Sequence, residues 1–378
     1  PADTAAARDT AAAAPGGDAL TPSAEGHVFL GGYALTAHDP TTGQTGVAAA
    51  TSGFSTGSGS VGVEPGGAVA VLGRSAPAAR RAAMAALRSG ASAGEAVSRA
   101  TGAAGRSGGL HVSVLTPACA GRSFTAEDAY PWTGAVSGRA GRICYRAAGA
   151  LLADSAVVRR LAAAFEAAGG GLLERFQAAL SAAERALEEV ARSRSGLIWI
   201  SAPDAASGAL GRADLRLQVE DVQRPAAALR HLVRAGRADH MARRASAAVD
   251  AGDHRRALAL ADSAVALDPA AALAWLARGR ALLYRGEDRE AETAFQRMLE
   301  VNPHLLHLLG DPSAAVADTT RRGRSGAPDV RTGLIPYRPR LILRLDEYRR
   351  AFFRDVEFPS REPASSPVEE GDTGGGAR

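Results

Sequence analysis

The sequence predicts an α+β domain followed by a module built only of helices. Short strand-like runs alternate with helix patterns from His27 to about Pro225, and beyond that point the pattern is almost wholly helical. A length of 378 residues suits two domains with extensions rather than one ordinary domain. We therefore predict a disordered leader at 1–26, the α+β domain at 27–235, the helical module at 236–310 and a C-terminal extension at 311–378.

Composition excludes several classes of protein. Apolar residues make up 46% of the chain but aromatics only 5%, so the cores must be built from small side chains. All 44 basic residues are arginine, which excludes a lysine nucleophile, a Schiff-base enzyme and a P-loop lysine. The formal charge of +4 comes from interspersed charges, which argues against a nucleic-acid partner. We expect no membrane span, no metal and no cofactor, because no long apolar run or zinc-ligand spacing occurs.

The first 25 residues have the composition of a leader that remains after removal of a signal peptide. They are mostly Ala, Asp, Thr, Pro and Gly, with little periodicity. A shortened chain would have the same composition. The sequence thus leads us to expect a secreted protein, extracellular or periplasmic. In such a protein Cys119 and Cys144 could form a disulfide, although two separate buried thiols fit the sequence equally well.

Strand and turn signals follow one another through the first domain. Val28–His38 is a strand-like run, Asp39–Gly43 is a turn signal, and Gly46–Thr51 is typical of the returning strand. The remaining expected elements are strands at Val61–Val63, Ala68–Leu72, His111–Leu115, Ser123–Thr125, Ile143–Arg146, Leu197–Ser201 and Asp214–Val219, and helices at Ala76–Arg88, Ser92–Ala100, Asp154–Ala167 and Leu172–Ala191.

Two copies of one pattern fill the helical module. Ala242–Pro269 and Leu276–Pro303 superpose with a shift of 34 residues, and each contains a helix, a Gly-acidic turn, a second helix and a proline stop. The pattern resembles two tetratricopeptide (TPR) repeats. Two repeats are too few to bury a continuous core, so a helix at 226–235, residues 304–309 or a partner must cover the ends. The residues expected to pack the helices are Ala245, Ala257, Pro269, Trp275, Gly279, Ala291, Phe295 and Pro303.

An aromatic segment at 334–358 stands out in a chain that is poor in aromatics. We expect it to be buried, either on the chain's own domains or against a neighbouring subunit. The residues expected at such an interface are Tyr337, Leu341, Tyr348, Phe352 and Phe353. The end of the extension returns to a disorder-like composition.

The stretch from Tyr33 to about Leu232 resembles the domain-of-unknown-function family numbered 1028. The pieces that carry the resemblance are Tyr33–Pro40 with Thr42–Gly43, Gly46–Ala50, Gly66–Ala70, Leu87–Gly90, Pro131–Gly134, Ala162–Ala167, Asp214–Leu217 and Pro225–Leu229 with Leu232. The family is considered similar in fold to the N-terminal-nucleophile (Ntn) hydrolases. The resemblance therefore implies a four-layer αββα sandwich, followed here by the TPR array, but no settled reaction.

Ntn chemistry needs a Thr, Ser or Cys at the start of the first strand, where autocleavage frees the α-amine that serves as general base. The expected nucleophile position is Gly32, and the Thr or Ser that family members usually carry near it is missing. We therefore expect no Ntn hydrolase activity. The residues that remain as catalytic candidates are Thr36, Thr51, Ser52, His111, Arg194 and Ser195.

Two functions remain as hypotheses. The first is an exported, non-catalytic interaction protein, in which a degenerate Ntn-like domain and the TPR module mediate self-association, including a ring or filament, or bind a peptide in the TPR groove. The alternative is an Ntn-type amidohydrolase that acts on a peptide or acyl-amide.

Overall fold

The computed structural model describes residues 29–53, 56, 60–106, 108–187, 193–310 and 338–354. The chain divides into two compact units after His240. The expected class is confirmed: antiparallel sheets with helices are followed by a C-terminal helical region. The expected leader lies outside the described residues, as do most of the extension and Tyr337.

The first unit contains a six-stranded antiparallel sheet in the order β11-β10-β3-β2-β9-β8. Its strands are β2 (Gly32–Asp39), β3 (Gln44–Thr51), β8 (Trp132–Ala140), β9 (Ile143–Leu152), β10 (Ser195–Ser201) and β11 (Asp214–Val219). The sequence did not predict β8. The strand contains two glycines and few β-branched residues, and it lies at the edge of the sheet.

A second, five-stranded sheet has the order β1-β5-β6-β7, with β4 paired to β5. Its strands are β1 (Phe29–Leu30), β4 (Val61–Glu64), β5 (Gly67–Arg74), β6 (His111–Leu115) and β7 (Gly121–Thr125). One face of each sheet contributes to a shared core of small residues, among them Ala34, Ala49, Ala70 and Ala148. Because alanine side chains are small, the alanine-rich composition allows the two sheets to pack closely.

Helices cover the other face of each sheet. α1 (Pro77–Arg88) and α2 (Ala93–Ala104) pack on the five-stranded sheet. α3 (Ala156–Ala167) and α4 (Leu172–Leu187) pack on the six-stranded sheet. Each sheet thus has a helix layer on one side and the partner sheet on the other.

The helical unit is entered through one long helix, α5 (Pro225–Asp250). The expected separate helix at 226–235 is wrong, because a single interior glycine, Gly236, does not interrupt a helix. The helices that follow are α6 (His254–Leu267), α7 (Ala272–Tyr284), α8 (Asp288–Val301) and α9 (Pro339–Phe352), with a 3₁₀ helix at Pro303–Leu308 between α8 and α9.

The repeat in the sequence is also a repeat of backbone conformation. Gly252 and Gly286 end the first helix of each pair with φ angles of 79° and 81°. Asp268 and Asn302 end the second helix with φ/ψ angles of −144°/100° and −147°/99°. The positive φ explains why glycine occupies both turns.

Between the paired helices, the two repeats use different side chains at matched positions. The first repeat has Ala245 and Ala261, and the second has Gly279 and Phe295, and the four residues are buried. A Cβ on Gly279 would overlap the Phe295 ring, with Cδ1 only 2.6 Å away. Gly279 therefore provides the space that Phe295 fills.

Replacing Gly279 with alanine is expected to destabilise the helical unit by about 1–3 kcal/mol, because the added methyl overpacks a filled contact. Urea denaturation measures the change. Gly102→Ala in α2 is the matched control, since no atom lies within 4 Å of that Cβ, and it should be neutral or slightly stabilising. Equal stabilities of the two variants would contradict the packing described here.

The end of the helical unit is covered by the chain itself. Leu341 and Leu345 of α9 join the core that α7, α8 and the 3₁₀ helix form, and Tyr348 donates a hydrogen bond to Glu300. The structure thus places Leu341, expected at an interface, in the core of its own unit. Phe352, by contrast, is 54% exposed, and its ring stacks with Tyr348 at 6.1 Å between centroids.

Candidate functional site

The start of β2 is the position at which Ntn chemistry would place its nucleophile. Gly32 stands there, between Thr51 of β3 and Ala150 of β9. A Cβ on Gly32 would lie 2.6 Å from the carbonyl oxygen of Ala50 and 2.9 Å from Cγ2 of Thr51. Real Cβ atoms essentially never come so close to backbone atoms. No side chain fits at this position unless the backbone shifts.

The chain that precedes Gly32 is part of the fold. Phe29 and Leu30 form β1, which pairs with Arg74 and Gly73 of β5. The next residue, Gly31, accepts a hydrogen bond from the backbone N–H of Ser52 at 2.8 Å. Residues 29–31 are therefore held by the fold, and the free α-amine that Ntn chemistry uses as general base would exist only after a cut before residue 32.

Three hydroxyl groups meet beside Gly32, and we call them the hydroxyl cluster: Thr51, Thr56 and Ser195. All three residues are fully buried. Ser195 Oγ lies 2.6 Å from Thr56 Oγ1 and 3.1 Å from Thr51 Oγ1, and it also lies 2.8 Å from the carbonyl oxygen of Gly53. The cluster forms because β10 pairs with β3 so that Ser195 faces Thr51 directly.

The hydroxyl cluster has no general base among the described residues. Within the described part of the chain, the hydrogen-bond partners of its oxygens are one another and a backbone carbonyl. The adjacent Arg194 turns away, and its Nε donates to Asp221 at 2.9 Å on the exposed side. A serine or threonine hydroxyl needs a base within hydrogen-bond reach to become a nucleophile. The observed hydrogen bonds instead connect Gly53 and Thr56, which follow β3, with Thr51 and Ser195 of the sheet.

The structure brings together only two of the six catalytic candidates, Thr51 and Ser195. Thr36 lies in the middle of β2, and its hydroxyl donates to the carbonyl oxygen of Arg146 at 3.3 Å. Ser52 is exposed, and His111 belongs to the five-stranded sheet. Thr56 was not among the candidates, although the glycine- and hydroxyl-rich run at 51–60 contains it.

His111 is a buried histidine that is held neutral. It has no exposed surface, and its Nδ1 lies 2.9 Å from Thr125 Oγ1. Burial, together with the positive charge of Arg146, lowers its pKa from 6.5 to about 3. The imidazole is therefore uncharged at any pH at which the protein would ordinarily work.

Acid is expected to destabilise the first unit through His111. As the pH falls below 6.5, the unfolded chain binds a proton that the folded chain refuses until about pH 3. The free energy of unfolding should fall across this window by up to about 1.4 kcal/mol per pH unit from this residue alone. Denaturation curves of His111→Asn should show a shallower pH dependence, whereas those of the exposed His307→Asn should match the parent. Parallel curves for His111→Asn and the parent would refute the assignment.

A disulfide joins the two sheets. Cys119 lies in the turn between β6 and β7, Cys144 lies on β9, and their Cα atoms are 5.7 Å apart. Of the two alternatives that the sequence leaves open, the structure therefore has the bonded one. The bond connects the five-stranded sheet with the six-stranded sheet.

The described residues include neither a metal-binding cluster nor a candidate membrane span. No group of three or more His, Cys, Asp or Glu side chains there is placed to hold a metal ion. In the same part of the chain, none of the helices combines the length and apolarity needed to cross a membrane.

Comparison with known proteins gives a family but no activity. A crystal structure of a protein from Silicibacter pomeroyi, which is assigned to DUF1028, aligns with a TM-score of 0.46 and 24% identity, covering 53% of this chain and 84% of that one. No curated protein matches the sequence. The model of the family described as "Family of unknown function (DUF1028)" matches residues 32–229, which is more than half of the 378 residues. The chain therefore belongs to the DUF1028 family.

Proposed function

We propose that this protein is an exported, non-catalytic interaction protein. Its first unit is a degenerate Ntn-hydrolase-like domain with the αββα layer order, and its helical unit is a TPR-type module. The helical unit mediates self-association or binds a peptide or protein.

Gly32 is the observation that carries the proposal. The position has neither a side chain nor space for one, since a Cβ would lie 2.6 Å from a backbone oxygen. The residues that precede it, Phe29 and Leu30, pair with β5 as β1. A one-residue nucleophile and base therefore cannot be assembled there.

The layers and the repeat support the two fold assignments. Two facing sheets with a helix pair on each outer side agree with the αββα order. The shift of 34 residues, the matched turn angles at Gly252 and Gly286, and the small residues between paired helices agree with TPR repeats.

Exposed apolar side chains support the assignment of the binding role to the helical unit. Among the described residues, the large hydrophobic side chains that are clearly exposed number five, and four of them belong to this unit. These four are Leu273, Tyr284, Val301 and Phe352, and the fifth is Tyr130. The disulfide supports export, because such bonds persist mainly in oxidising compartments.

Self-association is expected to depend on the exposed aromatic side chain of α9. Phe352→Ser should weaken the association constant at least tenfold, since an interface loses about 1.4 kcal/mol or more with a buried aromatic anchor. Tyr130→Ser is the matched control, because Tyr130 is also an exposed aromatic (65%) but lies in the first unit. Sedimentation over a range of concentrations measures both. A chain that stays monomeric at every concentration would contradict self-association.

An amidohydrolase remains the second candidate, and the hydroxyl cluster favours it, since three hydroxyls lie at the end of the sheet where the family's nucleophile is expected. A fluorophosphonate or β-lactone probe separates the two functions. We expect no stoichiometric labelling of the folded protein. Labelling that disappears in Ser195→Ala or Thr51→Val would overturn the non-catalytic assignment.

A further inference from the structure

A polar cluster lies between the two sheets of the first unit, and its atoms are not all satisfied. His111 and Ser113 stand on β6 with the same orientation, and Arg146 reaches towards them from β9. Nε2 of His111, Oγ of Ser113 and Nε of Arg146 are buried atoms without a hydrogen-bond partner. The buried polar groups of folded proteins rarely remain unpaired, so three neighbouring exceptions indicate a ligand.

Strand register shows that the three residues are neighbours. Nη2 of Arg146 donates to Ser123 Oγ at 2.6 Å, and Ser123 is the direct cross-strand partner of Ser113. His111 is two residues from Ser113 on the same face of β6. Arg146 is also close enough to lower the pKa of His111. The guanidinium therefore lies over Ser113, with the imidazole beside it.

The charge of Arg146 has no counterion in the described part of the chain. Its Nη1 donates to Ser137 Oγ at 2.6 Å, and its Nη2 donates to Ser123, so both partners are neutral hydroxyls. The neighbouring charge that acts on it, Arg122, has the same sign, and burial together with that charge lowers the pKa of Arg146. Arg146 is half-buried, and a cation withdrawn from water to this extent is costly unless an anion compensates it.

We propose that Arg146, His111 and Ser113 form a binding site for a small monovalent anion of halide size, held between the two sheets. All three groups can donate: Arg146 through Nε–H, Ser113 through its hydroxyl, and His111 through Nε2–H when the Thr125 hydroxyl donates to Nδ1. A water molecule could accept the same hydrogen bonds but would leave the charge of Arg146 uncompensated.

The size of the anion follows from the spacing of the elements. Facing sheets are about 10 Å apart, and cross-strand Cβ atoms such as those of Ser113 and Ser123 are about 5 Å apart. Because a guanidinium and an imidazole both project into a gap of this width, we expect the site to take one heavy atom rather than a phosphate. Ser137 is exposed, and its bond to Arg146 marks the side from which the ion enters.

Bromide tests the site because it can be both titrated and located. Urea denaturation of the full chain is measured as sodium gluconate is replaced by sodium bromide at constant ionic strength. The stability should rise with bromide and then follow the logarithm of its concentration, as expected for one site on the folded protein. Crystals grown with bromide should show its anomalous signal beside Arg146 Nε, Ser113 Oγ and His111 Nε2.

Three variants make the test specific. Arg146→Gln should raise the apparent bromide dissociation constant at least tenfold, and Ser113→Ala, which removes a single atom, should raise it severalfold. Arg122→Gln is the control, because it removes an exposed neighbouring charge and should change the constant less than twofold. If Arg146→Gln does not fold, Ser113→Ala alone decides. Identical stability in bromide and gluconate, a bromide effect that survives Ser113→Ala unchanged, or an anomalous signal only elsewhere would overturn the proposal. The inference does not depend on the proposed function.

Discussion

Replacing Gly32 with threonine is expected to destabilise the first unit by about 3 kcal/mol or more and to produce no hydrolase. The new Cβ would meet the carbonyl oxygen of Ala50 at 2.6 Å and Cγ2 of Thr51 at 2.9 Å, and the first of these is a backbone atom of a central strand. Overpacking usually costs about 1–3 kcal/mol, and more where rigid backbone must move. Urea denaturation and an assay with amide substrates measure the two effects.

The neighbouring glycine provides the control. A Cβ on Gly31 would meet its nearest atoms at 3.5–3.8 Å, which is ordinary van der Waals contact. Gly31→Ala should therefore stay close to the parent in stability, even though it lies one residue away. A Gly32→Thr variant that folds as well as Gly31→Ala, and then cleaves itself before residue 32, would show that the site is only one substitution from activity.

Removal of the disulfide is expected to cost about 3 kcal/mol. The Cys119–Cys144 bond closes a loop with a sequence separation of 25, and closing a loop of this length restricts the unfolded chain by that amount. The double variant Cys119→Ser/Cys144→Ser should therefore unfold at lower urea concentration in its first unit. Cys119 already has a positive φ of 60°, and a serine at the same position would keep it, so the comparison isolates the bond.

The helical unit serves as the internal control in this experiment. The tryptophans of the chain report on both units: Trp132 and Trp199 lie in the first and Trp275 in the second. A Trp275→Phe background therefore follows the first unit, and the double background Trp132→Phe/Trp199→Phe follows the helical unit, whose transition should not move. Equal shifts in both units, or none in the first, would contradict the role given to the bond.

The sequence predicts the elements that carry a clear period. His111–Leu115 alternates, Gly46–Thr51 follows a strong turn signal, and the repeat ending at Pro269 and Pro303 has a fixed spacing; the structure has strands and helices at these places. The elements that the sequence does not predict are those whose residue types are set by contacts with other strands. Gly138 of β8, for example, is small because Tyr145 of the neighbouring strand β9 occupies the space beside it, with Cζ 2.7 Å from the position of a Cβ.

The candidate site shows the same limit. The sequence shows that Thr51 and Ser195 carry hydroxyls, but it does not show that the two side chains are in contact. That contact depends on the register between β3 and β10, which are more than a hundred residues apart in the sequence. Thr56 belongs to a run that looks like an ordinary loop. The proximity of the three unpartnered atoms cannot be predicted from the sequence either, because His111 and Arg146 belong to different sheets.

Intact-mass spectrometry of the protein from its natural host tests the central claim most directly, because Ntn chemistry begins with a cut in the chain. We predict that the chain is continuous through residues 29–39, with no cut before Gly32 at the start of β2. A mature chain that begins at Thr36, or at any other residue of β2, and binds one equivalent of an electrophilic probe at its new amino terminus would contradict it.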